Sequence, residues 1–254
     1  MLFDTHAHYD DRKFDEDRDA LLSSMPEHGI SLILNPGCDP ESSKKAVELS
    51  EKYPFMYAAV GTHPHEAEAA TEEDMALYAE LSKHEKVMAI GEIGLDYYYD
   101  MSPRDIQKKW LDRQLSLAGE LSLPVIIHER EAAQDVFQAI KRHASKVRGV
   151  YHCYSGSYEM AREIMKLGYY ISFTGSITFA NAHKLREVVK KVPLERIMIE
   201  TDSPYLTPAP YRGRRNDSTR VHLVAEMIAE LHGVTYETVA ETAMKNGKEL
   251  FGIK

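Results

Sequence analysis

Short apolar runs alternate with longer amphipathic segments eight times along this chain, and no other feature narrows its fold so much. The short runs are Leu2–His8, Ile30–Pro36, Phe55–Thr62, Val87–Gly94, Pro124–His128, Gly149–His152, Tyr169–Thr174 and Arg196–Thr201. Several are rich in Ile, Val and Tyr, and they read as buried parallel strands. The segments between them carry helical spacing. Gln107, Trp110, Leu111, Gln114, Leu115, Leu117 and Ala118 recur at i, i+3, i+4 and i+7, and Ala161, Ile164, Met165 and Leu167 do so more briefly. Ser102-Pro103 suits a helix N-cap and first position, and Gly29, Gly168 and Gly233 follow helical segments. Eight βα units in 254 residues predict a single (β/α)₈ TIM barrel spanning residues 1–254, with an open doubly wound sheet as the competing arrangement. Further helices around Thr219–His232 and Tyr236–Phe251 follow the eighth strand and are expected on the outside of the barrel.

Composition bounds the function classes. The net charge of -9 argues against a general electrostatic grip on nucleic acid. The charge is uneven, near -14 over residues 1–100 and near +5 over the rest, so a local phosphate-binding surface in the second part stays open. Two cysteines, Cys38 and Cys153, make no disulfide framework and fit a reducing compartment. The opening Met1-Leu2-Phe3-Asp4-Thr5-His6 lacks the basic and apolar regions of a signal peptide, and no apolar run approaches the ~18 residues of a membrane span. A cytoplasmic protein, with no membrane partner, is expected.

The chemistry concentrates in the histidines. Of twelve, His28, His84, His143, His183, His222 and His232 fall on helices or their ends. The other six, His6, His8, His63, His65, His128 and His152, fall at or just beyond predicted strand ends. His6 and His8 are two apart, which on a strand points both imidazoles the same way. Alone, that pair could equally be hydrogen-bonded polar residues. Glu92 lies in the apolar run Ala89-Ile90-Gly91-Glu92-Ile93-Gly94, where a carboxylate is costly unless it binds metal or a neighbouring arginine. Asp202 ends the eighth run. Four histidines and two carboxylates at C-terminal strand ends lie on the face where barrel enzymes build their sites. Six such ligands exceed what one catalytic zinc takes, and suit two metals about 3.5–4 Å apart with a bridging carboxylate.

Six ordered motifs resemble the TatD family of metal-dependent deoxyribonucleases, within the amidohydrolase-like barrel superfamily. They are Asp4-Thr5-His6-Ala7-His8, Gly61-Thr62-His63-Pro64-His65, Gly91-Glu92-Ile93-Gly94-Leu95-Asp96-Tyr97-Tyr98, Leu123-Pro124-Val125-Ile126-Ile127-His128, His152-Cys153-Tyr154-Ser155-Gly156-Ser157 and Glu200-Thr201-Asp202-Ser203-Pro204-Tyr205. The resemblance implies that His6, His8 and Asp202 hold one metal, that His128 and His152 hold the other, and that Glu92 bridges them. Many relatives in the wider superfamily bridge with a carbamylated lysine. Here Lys86 lies at the start of that strand, which favours the TatD branch. The resemblance further implies that His63 contacts phosphate or positions water, with a lesser part for His65. It places Arg130, Tyr154, Arg212 and Arg215 as substrate contacts, with a solvated loop as the other reading of Arg212 and Arg215; Tyr97, Tyr98 and Tyr99 could stack on a base or pack against neighbouring loops. The family's loop continues Arg-Gly-x-x-Asn-x-Pro, whereas here Asn216 is followed by Asp217-Ser218-Thr219, which looks like a replacement helix N-cap.

The implied reaction is hydrolysis of DNA phosphodiesters by a 3'-5' exonuclease acting on single-stranded ends. In it Asp202, Glu92 and His63 are the catalytic residues and Asp202 accepts a proton from water. Two divalent metals are expected. Imidazoles accommodate zinc or nickel, and carboxylates with phosphate suit magnesium or manganese. The same ligands would also serve a small phosphoester, a lactone or amide, or an aminoacyl-tRNA ester, because function belongs to the site rather than the fold. A non-enzymatic metal-binding scaffold is the third reading. A monomer is the working expectation.

Overall fold

Eight parallel strands alternate with helices from end to end. In chain order they run β1 (Leu2–Asp4), α1 (Arg18–Ser24), β2 (Ile30–Pro36), α2 (Pro40–Lys52), β3 (Met56–Val60), α3 (Glu72–Leu81), β4 (Val87–Asp96) and α4 (Arg104–Leu121). They continue with β5 (Val125–Arg130), α5 (Ala133–His143), β6 (Gly149–Tyr151), α6 (Tyr158–Lys166), β7 (Tyr170–Phe173), α7 (His183–Val189), β8 (Ile197–Ile199), α8 (Val221–His232) and α9 (Tyr236–Phe251). The computed structural model describes all of residues 1–254. The sheet order is β1-β2-β3-β4-β5-β6-β7-β8. A doubly wound sheet would reverse strand order partway, so this sequential order excludes it and gives the TIM-barrel class. No helix is long and apolar enough to cross a membrane.

Contacts gather the chain into two compact units. The first comprises Met1–Asn35, Cys153–Met165 and Tyr170–Lys254. Within it β1 pairs with β2, β7 pairs with β8, and the first strand meets the last. Thr5 N–H and Thr5 Oγ1 both donate to Ile199 O, at 3.2 and 3.0 Å, and Ala7 forms a parallel bridge to Ser203. Helix α9 packs here through a T-shaped Phe3–Phe251 contact, and its Asn246 donates to Leu194 O and Ile197 O at 2.8 and 2.7 Å. Helix α8 completes the eighth βα unit, so α9 alone is additional. The second unit comprises Pro36–His152 and Lys166–Tyr169. It holds β3 to β6, paired in sequence.

The strand runs are shorter or longer than their apolar patterns. β1 stops at Asp4 and β8 at Ile199, so His6, His8 and Asp202 lie on irregular segments beyond strands rather than on them. β4 runs on to Asp96, which puts Glu92 mid-strand instead of at its end. The seven spaced residues of α4 are all buried, as their period requires. Its N-cap is Pro103, one residue later than the sequence suggests, because Ser102 is used elsewhere: its hydroxyl donates to His65 O and accepts from Glu68 N–H.

Candidate metal centre

In the first unit the chain beyond β1 is stitched on both sides. Ala7 N–H donates to Leu34 O at 3.1 Å, His8 N–H to Ser203 O at 2.7 Å, and Asp202 N–H to His6 O at 2.9 Å. This keeps the segment extended although it is no regular strand, so His6 and His8 still share a side. Their Nε2 atoms are 3.0 Å apart. Asp202 Oδ1 is 3.8 Å from His6 Nε2 and 3.6 Å from His8 Nε2. Asp202 has φ 56°, a left-handed conformation that aspartate tolerates better than most residues. Beneath this group Asp4, fully buried, accepts from Thr201 N–H, Thr201 Oγ1 and Ser218 Oγ at 2.8, 2.6 and 2.6 Å. Burial pushes Asp4 up to about 7, against the pull of those hydrogen bonds.

In the second unit three donors converge. Glu92 Oε1 is 2.8 Å from His128 Nδ1 and 2.8 Å from His152 Nε2, and those two nitrogens are 3.3 Å apart. His63 Nε2 lies 3.5 Å from the same oxygen. A buried carboxylate ringed by three imidazoles is the donor chemistry of a cation site. His63, Glu92 and His128 form a group able to hold a metal ion. Glycine makes the approach possible. Gly94 is registered with His128, and a Cβ on it would meet His128 O at 1.9 Å.

Protons in this cluster are placed by their partners. His65 N–H donates to His63 Nδ1 at 3.2 Å, so the His63 proton sits on Nε2, facing Glu92. Burial, aided by the nearby His128, pushes His63 down to about 4, which keeps it neutral near pH 7. His128 goes the other way: burial alone would lower it, but hydrogen bonds to Asp96 and Glu92 raise it.

Asp96 is the residue that the sequence pattern quoted without giving it a role. Fully buried, its Oδ2 lies 2.9 Å from His65 Nε2 and 3.2 Å from His128 Nε2. Its Oδ1 accepts from Tyr98 N–H and Tyr99 N–H at 3.0 and 2.8 Å. Burial disfavours its charge, yet the hydrogen bonds from His128, Tyr99 N–H and His65 outweigh that and hold it well below the usual carboxylate range. An ionised Asp96 accepts a hydrogen bond from His128 Nε2–H, so that a cation displacing the Nδ1 proton shared with Glu92 would meet the Nδ1 lone pair, the carboxylate–imidazole pairing common behind metal ligands. A two-residue period along β4, Glu92, Gly94, Asp96, was the available signal.

The expected substrate residues divide. Arg130 is exposed at the end of β5, its guanidinium 3.9 Å from the Tyr98 ring centre and 4.7 Å from that of Tyr99. Arg212 is exposed and stacks on Phe179 at 3.8 Å. Arg215 is committed elsewhere: it pairs with both oxygens of Asp17 at 2.7 and 2.6 Å and donates to Lys13 O. That makes it a clamp on the chain before α1 rather than a phosphate contact. Tyr154 is buried, with its hydroxyl donating to Ser157 O at 2.6 Å, and serves its own loop instead of a substrate. His65 is bound to Asp96 and supports the cluster. Asn216 donates to Thr201 O and Tyr205 O, holding the loop that carries Asp202. Asp217 does cap a short 3₁₀ turn into α8, accepting from Thr219 N–H at 3.0 Å.

Known proteins similar to this chain share one family. The family model described as TatD related DNase matches residues 3–252. YabD of Bacillus subtilis (strain 168), an uncharacterized metal-dependent hydrolase, is 48% identical over the whole of both chains. The crystal structure of YjjV, a TatD homologue from Escherichia coli, superposes with a TM-score of 0.93 at 32% identity, covering 100% of this chain and 98% of that one. A TatD-family hydrolase structure from Entamoeba histolytica gives a TM-score of 0.89 at 25% identity, covering 98% and 97%. With the family pattern matched along nearly its whole length, and with histidine and carboxylate groups able to hold a metal ion, the chain belongs to the TatD family of metal-dependent hydrolases.

Proposed function

We propose that this TatD-family hydrolase is a deoxyribonuclease that removes nucleotides from 3' ends of single-stranded DNA. The observation that carries the reading is Arg130: a guanidinium with aromatic rather than carboxylate partners, two residues past His128 on the same strand. Arginine is suited to nonbridging phosphate oxygens, and its charge is of use only when no carboxylate already holds it.

In this reading His6, His8 and Asp202 would hold one divalent cation and His128 and His152 a second, with Glu92 in the same ligand set, as the family resemblance implies. Such cations would supply Lewis acidity to a phosphate oxygen and lower the pKa of a water. Asp202 accepts the proton of the attacking water. His63, neutral with its proton on Nε2, donates a hydrogen bond to phosphate or water and does not act as a base. Asp96 orients His128, and Arg130 with Arg212 receives nonbridging oxygens. The test is a labelled single-stranded oligonucleotide incubated with metal-loaded protein. Stepwise shortening from the 3' end, lost in His128→Ala, is expected. Intact DNA alongside turnover of a lactone, amide, small phosphoester or aminoacyl ester would move the substrate assignment there.

A further inference from the structure

Tyr98 and Tyr99 stand out from the neighbouring Tyr97. Tyr97 is used by the fold: its hydroxyl donates to Asp135 Oδ2 at 2.7 Å and the Arg104 guanidinium lies 4.3 Å from its ring centre. Tyr98 and Tyr99 are 54% and 56% exposed, although large aromatic side chains normally bury most of their surface. Their rings meet edge to face at 5.0 Å and 84°. Arg130 stacks on both.

The backbone beneath this exposed group is pinned. Asp96 Oδ1 fixes the backbone N–H of both tyrosines. Gln107 of α4 in turn clamps Asp96, accepting from its N–H at 2.9 Å and donating to its carbonyl at 3.2 Å. Held aromatic faces beside a guanidinium suit a flat, electron-rich ring attached to a phosphate. The opposite oxygen of Asp96 holds His128, so one carboxylate sets the offset between the aromatic pair and the donor cluster around Glu92.

We propose that Tyr98, Tyr99 and Arg130 form a seat for the unpaired nucleobase of the terminal nucleotide, with Arg130 shared between the rings and the adjoining phosphate. The proposal rests on the phosphodiesterase reading and makes it more specific. A base stacked here has left its own helix, so the seat selects single-stranded ends. It reads a π-face, which every base has, so it confers little sequence preference.

The test compares kcat/KM for oligonucleotides ending in a normal 3' nucleotide or in an abasic one, using metal-loaded protein. Native protein is expected to favour the normal end by roughly 5- to 150-fold, the range that one stacked base supplies. The double substitution Tyr98→Ala/Tyr99→Ala abolishes that preference, and Tyr98→Phe/Tyr99→Phe restores it, which separates stacking from a folding defect. Equal rates on both ends in native protein, or an undiminished preference in the alanine variant, overturns the proposal. Should native protein cleave no DNA, the nuclease reading fails by itself. The seat is then judged by a 3'-terminal 2-aminopurine oligonucleotide: fluorescence quenched by native protein but not by the alanine variant sustains the seat, and no quenching by native protein removes it.

Discussion

Replacing Asp96 by asparagine changes one atom of a fully buried side chain, and the surroundings leave the amide no good orientation. Asp96 faces four donors: His65 Nε2 and His128 Nε2 on one oxygen, Tyr98 N–H and Tyr99 N–H on the other. An asparagine NH₂ must point at one of these pairs, donor against donor. Facing the imidazoles, it forces His128 to move its proton to Nδ1, the atom 2.8 Å from Glu92 Oε1 and the one a cation needs unprotonated. Facing the backbone, it takes the acceptor from two partly buried N–H groups, at about 1 kcal/mol each. Loss of a partner behind a metal-binding histidine typically costs about 10–100-fold in affinity, or roughly 1.4–2.7 kcal/mol. The assay is metal affinity of native and Asp96→Asn protein by chelator competition, with activity followed against metal concentration. Weakened binding, with activity partly recovered at excess metal, is expected. An affinity within twofold of native in a fully folded variant would refute the role of Asp96.

Four other outcomes follow from the same geometry. Metal-free protein should lose stability on acidification: His63 is neutral in both states above about 6.5, and its depressed folded value of about 4 makes stability fall by roughly 3 kcal/mol as pH drops between them, a slope that His63→Gln reduces in pH-dependent denaturant titrations. Gly94→Ala should destabilise by about 3 kcal/mol or more, since the new Cβ meets the His128 backbone rather than a movable side chain, and thermal unfolding reads this directly. Arg215→Ala should cost only about 1 kcal/mol, its partner Asp17 being half exposed, and leave kcat/KM on DNA within a few-fold of native. Arg130→Ala should lower kcat/KM on DNA by about 10–100-fold through a lost charge-assisted contact, with little change in melting temperature.

The fold was legible because it depends on periodicity, which is local. The seven spaced residues of α4 and the apolar core of each strand announce themselves within a dozen positions. Glu92 and His128 were legible for a related reason, as polar groups in apolar runs that something must satisfy. Strand ends were less legible, because pairing is settled by the neighbouring strand. The sequence cannot show that Asp202 N–H will be taken by His6 O and so leave β8 at Ile199. Residues whose partners are set by the folded chain were less legible. Arg215 looked like a cation free for phosphate, yet Asp17 lies 198 positions away in sequence and binds it. Tyr154 looked like a rim residue, yet its chain turns back so that its hydroxyl meets Ser157. Asp96 went unassigned because its value lies in four simultaneous contacts, two of them to residues more than thirty positions away.

The proposed cleavage of DNA phosphodiesters with divalent cations held by the histidine and carboxylate clusters is tested most directly by determining metal content and 3'-end hydrolysis of single-stranded DNA on the same preparations of native and Glu92→Ala protein. Native protein is predicted to carry about two divalent ions per chain and to shorten the DNA, with both lost in the variant and activity abolished by chelation and restored by metal. Metal-loaded native protein that leaves the DNA intact, or a Glu92→Ala variant with unchanged metal content and rate, would contradict it.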